Sequence, residues 1–351
     1  MSAPRYAPRA AYASLRAYDA QPVTCDIQLA DNTSSFGPPP SALRVLRAAD
    51  ANSLAQYPTT YSRPLRDALA RYIGVAPDEI MVGAGSDDVM SCAFRALADP
   101  GARLAYMHPT FVMTRVFAES NSLVTMPIGL TADFDADAEA LLAERAEITY
   151  VCSPNNPTGT PVHPATLSRI VTGARGVVMI DEAYAEYAGT SLAASAPSED
   201  GVLVLRTFSK AFGLAGLRVG YAVGARRLIA ELEKARGPFM VTSVSEQAAL
   251  ATLTHDVPWV MERVGEIRDA RDWFVGEVER AGYAPLRSSA NFVLLRVHGA
   301  RAAHQALRDR GVLVRPFEQL PGIGDALRIS VAGLPVMHRV LDTLREVVPC
   351  A

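Results

Sequence analysis

The sequence lacks the features typical of disulfide-linked, zinc-binding, membrane-spanning and secreted proteins. Its four cysteines, Cys25, Cys92, Cys152 and Cys350, stand far apart with no CxxC pair. This spacing argues against a disulfide framework or a zinc site and predicts free thiols in a cytoplasmic protein. The six histidines show no metal-ligand spacing. No apolar run approaches the roughly 20 residues that span a bilayer, and residues 1–16 lack the apolar core of a secretory signal.

The sequence also has no large excess of positive or negative charge. The formal net charge is -3, with 20% charged and 49% hydrophobic residues. Because no strong basic or acidic excess is present, neither nucleic acid nor a membrane surface is favoured as a partner. The 351 residues suit two domains, or one large domain with a smaller attachment.

Strand-like and helix-like segments alternate over much of the chain. Short apolar runs at 80–82, 104–106, 148–152 and 177–180 are each followed by a turn and a helical pattern. Continuous apolar strands interleaved with helices predict an α/β fold with a mostly parallel sheet covered on both faces. Residues 219–223 are predicted to add one more strand, and Ser41 is predicted to cap a helix that runs to about Ala51.

Composition changes along the chain predict three regions. Residues 1–40 are rich in proline and alanine and indicate an N-terminal arm that joins the smaller domain. Residues 41–260 carry the alternating pattern of a large ligand-binding domain. Residues 261–351, which begin within a long amphipathic segment, are typical of a small α+β domain.

The most informative stretch runs from Thr207 to Arg218 and contains Lys210 among small, hydroxyl and apolar residues. Partial desolvation lowers the pKa of a lysine and makes its neutral amine available to attack a carbonyl. Thr207, Ser209 and Arg218 are donors that suit an anionic phosphate. On this stretch alone, a lysine that simply reaches solvent is the alternative.

Three further clusters follow predicted strands. Gly85-Ser86-Asp87 opens a helix, where free N–H groups favour a phosphate, although a simple helix start has the same pattern. In the loop 153–159, two prolines hold an asparagine amide ready to donate to a ligand. Asp181 ends an apolar strand, where a carboxylate needs a cationic partner, either a buried ion pair or a protonated pyridine nitrogen.

In open parallel sheets, ligands bind beyond the carboxyl ends of the strands, where all these clusters are predicted to lie. An amine, a phosphate site, a carboxylate for a ring nitrogen and a loop asparagine together indicate a pyridoxal 5'-phosphate site. With these features, the chain resembles the fold-type I aminotransferases, most closely the histidinol-phosphate aminotransferase branch. The resemblance rests on SPNNPTG at 153–159, DEAY at 181–184 and FSKAFGLAGLR at 208–218, and covers the chain from about residue 25.

The resemblance implies specific roles. Lys210 would bond to the cofactor and move the substrate proton, and Asp181 would hold the pyridine N–H. Asn156 and Tyr184 would hydrogen-bond its phenolic oxygen, and Phe111 would stack on its ring. The residues implied in phosphate binding are Gly85, Ser86, Asp87, Thr207, Ser209 and Arg218.

The resemblance further implies a homodimer with shared active sites, in which Tyr57 reaches the phosphate bound by the neighbouring subunit. Arg328 would clamp the substrate carboxylate with help from Asn156. Arg315 would lie near the substrate side chain, although a surface arginine on a strand has the same pattern. The implied reaction moves an amino group between an amino acid or amino-phosphate and a 2-oxo acid, with histidinol phosphate and 2-oxoglutarate as the favoured pair.

Two departures leave the substrate open. Asn32-Thr33-Ser34-Ser35 replaces the Asn-Glu-Asn-Pro usual in the family, and His108 stands before Pro109 where a histidine is unexpected. The alternatives are an aromatic or specialised-pathway amino acid aminotransferase, a decarboxylase on the same scaffold, and a non-catalytic binding protein. The intact Lys210 and Asp181 argue against the last.

Overall fold

The structure is a computed structural model that describes residues 7, 9–13, 15–17 and 23–349. Part of the predicted N-terminal arm and the predicted free thiol of Cys350 therefore lie outside the described residues. The helices are α1 Pro40–Arg47, α2 Ala51–Ala55, α3 Arg63–Ile73, α4 Ser86–Leu97, α5 Val112–Ser120, α6 Ala138–Ala143, α7 Pro164–Gly173, α8 Ala185–Ala188, α9 Arg226–Lys234, α10 Ser243–His255, α11 Val257–Arg280, α12 Ala300–Arg308 and α13 Leu334–Val347. The strands are β1 Ile27–Gln28, β2 Ile80–Gly83, β3 Arg103–His108, β4 Val124–Gly129, β5 Ile148–Cys152, β6 Val177–Asp181, β7 Val202–Thr207, β8 Gly220–Gly224, β9 Ala284–Pro285, β10 Phe292–Arg296, β11 Val312–Leu313, β12 Arg315–Leu320 and β13 Gly324–Ser330.

Seven strands form the main sheet, in the order β2-β8-β7-β6-β5-β3-β4. Neighbouring strands from β7 to β4 are parallel, whereas β8 is antiparallel to β2 and β7. The predicted mixed, mostly parallel sheet between helices is confirmed. The edge strand β4 escaped prediction because it is only partly buried and lacks a continuous apolar run.

The central strands set the position of the polar clusters. β5 and β7 are buried along their whole length, as expected for parallel strands covered on both faces. Cys152 pairs in register with Asp181, and Asp181 with Leu205. The residues that follow β5, β6 and β7 therefore emerge side by side at one edge of the sheet.

A second, antiparallel sheet has the order β12-β13-β10-β9. Near it, β1 from the N-terminal arm pairs in parallel with β11, with Ile27 opposite Val312. The helix α11 continues through the predicted boundary at 260/261. The division into regions 1–40, 41–260 and 261–351 stays a prediction.

The predicted capping role of Ser41 is wrong. α1 begins at Pro40, and the N–H of Ser41 instead donates to Oδ2 of Asp256 at 2.6 Å. The Ser41 hydroxyl donates to the same oxygen. The helix also ends at Arg47, and a separate helix α2 begins after Asp50, whose carboxylate accepts from Ser53 N–H. The Ser41 hydroxyl, which the local sequence pattern assigned to a helix cap, therefore bonds to Asp256, a residue far away in the sequence.

A buried ion-pair cluster links β6 to β7 just below the edge where their polar residues emerge. Arg206 on β7 donates to Glu182 at 3.3 Å and to Glu186 at 2.6 Å, and all three side chains are buried. Glu182 also accepts from the N–H of Leu192 at 2.6 Å. Because Glu182 follows Asp181 and Arg206 precedes Thr207, this cluster holds both strand ends in place.

We expect Arg206→Met to lower the free energy of unfolding by about 3–5 kcal/mol, because it leaves two buried carboxylates without their cation. Urea unfolding of the cofactor-free protein measures the change. The matched control is Arg301→Met, which removes an exposed pair with Glu318 and should cost less than about 1 kcal/mol. Equal effects of the two substitutions would contradict the stabilising role of the Arg206 cluster.

Candidate active site

A cavity of about 490 Å³ opens at the carboxyl edge of β5, β6 and β7. It brings together most of the residues predicted from sequence, which come from seven separate segments of the chain. The predicted site residues that line it are Ser86, Asp87, Phe111, Asn156, Asp181, Tyr184, Thr207, Ser209, Lys210, Arg218, Arg315 and Arg328.

Lys210 lies in this cavity with its amine in a desolvated environment. Its Nζ donates to the main-chain oxygen of Asp31 at 3.0 Å and lies 5.9 Å from the centre of the Tyr184 ring. Burial, followed by the positive charge of Arg328, lowers the pKa of Lys210 to about 8. About a tenth of the amine is therefore neutral at pH 7, far more than for an ordinary lysine, and the neutral form is the one that acts as a nucleophile or base.

Asp181 is buried at the end of β6. Its Oδ2 accepts from the Tyr150 hydroxyl at 2.8 Å, and its Oδ1 accepts from the N–H of Ala183 at 3.0 Å. Burial raises the pKa of Asp181 to about 6, although these two bonds oppose the shift. Since a buried carboxylate gains most from a cationic partner, Asp181 can hold a protonated nitrogen of a ligand.

The N-terminus of α4 presents main-chain N–H donors at the cavity. Gly85 precedes the helix with φ of +87°, and a Cβ at this position would lie 2.7 Å from Nη2 of Arg218. The main-chain N–H groups in the first helical turn have no partner within the helix. The carboxylate of Asp87 accepts from Arg218 at 3.3 Å. The main-chain N–H of Asp87, rather than its side chain, therefore suits a phosphate.

Two hydroxyl groups and a guanidinium line the cavity together with this helix N-terminus. Thr207 Oγ1 donates to Ser209 Oγ at 3.0 Å and accepts from the N–H of Ser209 at 3.1 Å. Arg218, in a left-handed backbone conformation with φ of +51°, donates from Nη1 to Ser209 Oγ at 3.5 Å. Positive charge and donors therefore converge where a phosphate would bind.

Two arginines on neighbouring strands of the antiparallel sheet also line the cavity. Arg315 on β12 is the register partner of Arg328 on β13, and both line the cavity. Arg328 packs between two rings, 5.5 Å from Phe292 and 5.8 Å from Phe317. These contacts favour a rigid guanidinium that can bind an anionic group in a fixed geometry.

The two asparagines of the loop 153–159 have different environments. Asn155 is buried, and its amide bonds to Thr110, Pro109 and Thr158 within the loop region. Asn156 lines the cavity, and its Oδ1 accepts from Nη1 of Arg328 at 2.6 Å. Because the amide oxygen is engaged, the amide nitrogen of Asn156 is the group available to a ligand oxygen.

Two residues of special interest lie outside the cavity. Tyr57 is 83% exposed and stacks on Phe239 at 4.9 Å between ring centres. It therefore does not reach the cavity of its own chain. His108, at the end of β3, packs edge-on against Tyr106. Burial lowers the pKa of His108, and the residue does not line the cavity.

The residues that sequence reasoning missed come mainly from the N-terminal segment. Asp31, Asn32 and Thr33 line the cavity, and Asn32 donates to the Tyr184 hydroxyl at 3.0 Å. Tyr150, the partner of Asp181, was also missed. Pattern offered no signal for Tyr150, which looks like any apolar strand residue, whereas the departure at 32–35 had marked the N-terminal segment as a part of the chain that bears on the substrate.

The part of the chain that the structure describes gives no support for a membrane span or a metal site. Among these residues no helix is long and apolar enough to cross a membrane. Nor do they contain a cluster of three or more histidine, cysteine, aspartate or glutamate side chains that could hold a metal ion. Cys25, Cys92 and Cys152 are free thiols.

Comparison with known proteins agrees with the cavity's chemistry. The family described as aminotransferase class I and II matches residues 25–341. A histidinol-phosphate aminotransferase from Thermoanaerobacter sp. (strain X514) is 31% identical, covering 94% of this chain and 95% of the relative. Another from Roseiflexus castenholzii is 37% identical, covering 93% and 91% respectively.

Solved structures agree as well. The histidinol-phosphate aminotransferase of Sinorhizobium meliloti, solved in complex with pyridoxal-5'-phosphate, superposes with a TM-score of 0.85 at 28% identity, covering 92% of this chain and 91% of that one. A Thermus thermophilus aspartate aminotransferase with maleate shares the fold, with a TM-score of 0.80, 23% identity and 92% coverage of each chain. The chain therefore belongs to the class I and II aminotransferase family and is a pyridoxal-phosphate-dependent aminotransferase of fold type I.

Proposed function

We propose that the enzyme transfers an amino group between histidinol phosphate and 2-oxoglutarate. The observation that carries this proposal is the pair of register partners Arg315 and Arg328 in the cavity that also holds Lys210. Histidinol phosphate carries a phosphate, and 2-oxoglutarate carries two carboxylates. Two guanidiniums on one wall suit either anion. The histidinol-phosphate aminotransferases among the relatives support histidinol phosphate as one of the two substrates.

The residues present fit the cofactor. At one end, Nη2 of Arg218 lies 2.7 Å from where a Cβ of residue 85 would stand, and Arg218 would form an anion site with Ser86, Thr207 and Ser209. At the other end, the carboxylate of Asp181 is buried with a raised pKa and suits a protonated pyridine nitrogen. Phosphate, ring nitrogen and reactive carbon would thus each meet a matching group.

The cofactor, when bound, supplies an electron sink for charge that develops at the substrate α-carbon. Lys210 would hold the cofactor through Nζ and, once released from it, would carry the α-proton of the substrate on the same atom. Asp181 would keep the ring nitrogen protonated through an ion pair. Asn156 and Tyr184 would hold the phenolic oxygen, and Phe111 would pack on the ring.

On the substrate side, Arg328 would bind the carboxylate or phosphate of each substrate in turn. Its two ring contacts and its bond to Asn156 restrict the guanidinium before a substrate arrives, which lowers the entropic cost of binding. Arg315, on the neighbouring strand, would bind the second anionic group of 2-oxoglutarate.

We expect histidinol phosphate and glutamate each to remove the visible absorbance band of the holoenzyme, because both fit the paired arginines. Phenylalanine and basic amino acids should act much more slowly. Single additions of each donor, followed by visible spectroscopy, make the test. Lys210→Ala is the matched control: it should take up the cofactor and donor but lose turnover, since no amine remains to move the proton.

Other outcomes of this panel point elsewhere. Faster bleaching by phenylalanine would favour an aromatic amino acid aminotransferase. A band that no donor bleaches, with release of carbon dioxide, would favour a decarboxylase. A protein that takes up no cofactor, or a Lys210→Ala variant with normal turnover, would overturn the roles proposed here.

The pKa of Lys210 predicts the pH dependence of its reactivity. Only the neutral amine reacts, so acylation of Lys210 in the cofactor-free enzyme should rise with pH and reach its midpoint near 8, instead of the ordinary value near 10.4. Arg328→Met removes a positive neighbour, raises the pKa of Lys210 and should slow its acylation at pH 8. Peptide mass spectrometry measures the rate.

The sequence offers an internal comparison for this experiment. Lys210 and Lys234 are its two lysines, and Lys234 lies on the surface with its side chain 69% exposed. Arg328→Met should leave the rate at Lys234 unchanged. A midpoint for Lys210 near the ordinary lysine value would contradict the desolvated amine, and no response to Arg328→Met would contradict the contribution of the Arg328 charge.

We also propose a homodimer with shared active sites in the cytoplasm. An exposed apolar patch, consisting of Leu54, Tyr57, Phe239 and Met240, supports an interface at this face, since contiguous exposed apolar side chains mark interaction sites. Tyr57 in this patch would donate its hydroxyl to the phosphate held by the partner subunit. The free thiols of Cys25, Cys92 and Cys152 suit a reducing compartment.

Tyr57→Phe should weaken cofactor binding about 10-fold, the effect of losing one hydrogen bond to a charged group, without changing the dimeric mass. Fluorescence titration of the cofactor-free enzyme and light scattering measure the two quantities. Tyr12→Phe, at another exposed tyrosine, is the control and should change neither. A monomeric mass for the unmodified protein would contradict the shared site.

A further inference from the structure

Asn32 is a buried hydrogen-bonding centre between the two sheets. It is 1% exposed and adopts a left-handed conformation with φ of +56°, which asparagine tolerates better than most residues. Its N–H donates to Ser330 Oγ at 2.9 Å, and its carbonyl accepts from Asn291 at 3.0 Å. Its side chain bonds to Ser330 and Tyr184, each at 3.0 Å.

The orientation of the Asn32 amide in the structure fixes the direction of these bonds. The N–H of Asn32 can only donate, so Ser330 Oγ accepts from it. The Ser330 hydroxyl in turn donates to Oδ1 of Asn32. With Oδ1 accepting, the group that faces Tyr184 is the Nδ2 amide, which can only donate. The Tyr184 oxygen therefore accepts, and its own proton is free for another partner.

We propose that Asn32 is a positioning residue that directs the Tyr184 proton into the active-site cavity, toward the phenolic oxygen of the cofactor. The inference rests on the role proposed above for Tyr184. Asn32 itself need not touch the cofactor; it determines that Tyr184 donates to the cofactor rather than to the protein. Because Ser330 lies two residues after Arg328 on β13, the same bonds tie Tyr184 to the strand that carries the substrate-binding arginine.

A donated hydrogen bond draws negative charge from the phenolic oxygen, which then holds the neighbouring proton of the bound cofactor less strongly. The holoenzyme without substrate should therefore change its visible absorbance at a lower pH than it would without this bond. The other titratable or charged groups that face Tyr184 are Arg328, Cys152, Asp181 and Tyr187, with Lys210 5.9 Å from its ring. None of these groups changes in the variants below.

The decisive variant is Asn32→Asp, which keeps shape and backbone conformation but offers only acceptors. Ser330 can still donate to one oxygen, while Tyr184 turns its proton to the other and away from the cavity. We expect the spectral midpoint to rise by about one pH unit and cofactor affinity to fall several-fold. Tyr184→Phe, which removes the proton outright, should raise the midpoint at least as much.

A double-mutant cycle separates this effect from that of the new negative charge. If Asn32 acts through Tyr184, Asn32→Asp shifts the midpoint in the wild-type background but scarcely in the Tyr184→Phe background. Equal shifts in both backgrounds, or no shift in either, would overturn the inference. Asn52→Asp, at an exposed position, is the control for the substitution itself and should leave the midpoint unchanged.

The cycle also distinguishes failure of the inference from failure of the proposed function. No change in midpoint for Tyr184→Phe would refute the role of Tyr184 itself. If Asn32→Asp does not fold, Asn32→Gly retains the left-handed backbone and removes both side-chain bonds. Its midpoint should rise by less than that of Tyr184→Phe, because Tyr184 keeps its proton but loses the partner that directs it; an unchanged midpoint would overturn the inference.

Discussion

The active site depends on placing charged groups in a desolvated cavity at one edge of a parallel sheet. Burial lowers the pKa of Lys210 to about 8 and raises that of Asp181 to about 6. Both shifts come from the same cause, since removal of water disfavours the charged form of each group. The result is an amine ready to react and a carboxylate that gains from a cationic ligand.

The sheet makes this placement possible. β5, β6 and β7 are paired in parallel, so that Asp181 and the residues after β5 and β7 share one edge. The buried cluster of Arg206, Glu182 and Glu186 ties β6, β7 and the start of α8 together on residues adjacent in sequence to the ligand-binding ones. The stability of the scaffold and the geometry of the site are therefore linked through neighbouring residues.

The N-terminal segment contacts three side chains that line the cavity. Ala30 accepts from Arg328, Asp31 accepts from Lys210, and Asn32 donates to Tyr184. Three consecutive residues thus contact the arginine proposed to bind substrate, the reactive lysine and the tyrosine proposed to bind cofactor. A substitution in this segment can alter specificity or cofactor properties without removing any of those three side chains.

Sequence alone determined the α/β class, the mostly parallel sheet and the family, because apolar strand runs and the motifs around Asp181 and Lys210 are local patterns. It also named most of the residues that line the cavity. It failed where a distant partner decides: Ser41 bonds to Asp256 rather than capping a helix, and β4 at the sheet edge lacks an apolar run. The pairing of Arg315 with Arg328, the bond from Tyr150 to Asp181 and the orientation of the Asn32 amide required the tertiary structure. Each joins residues far apart along the chain, and spacing in sequence carries no information on which donor meets which acceptor in space.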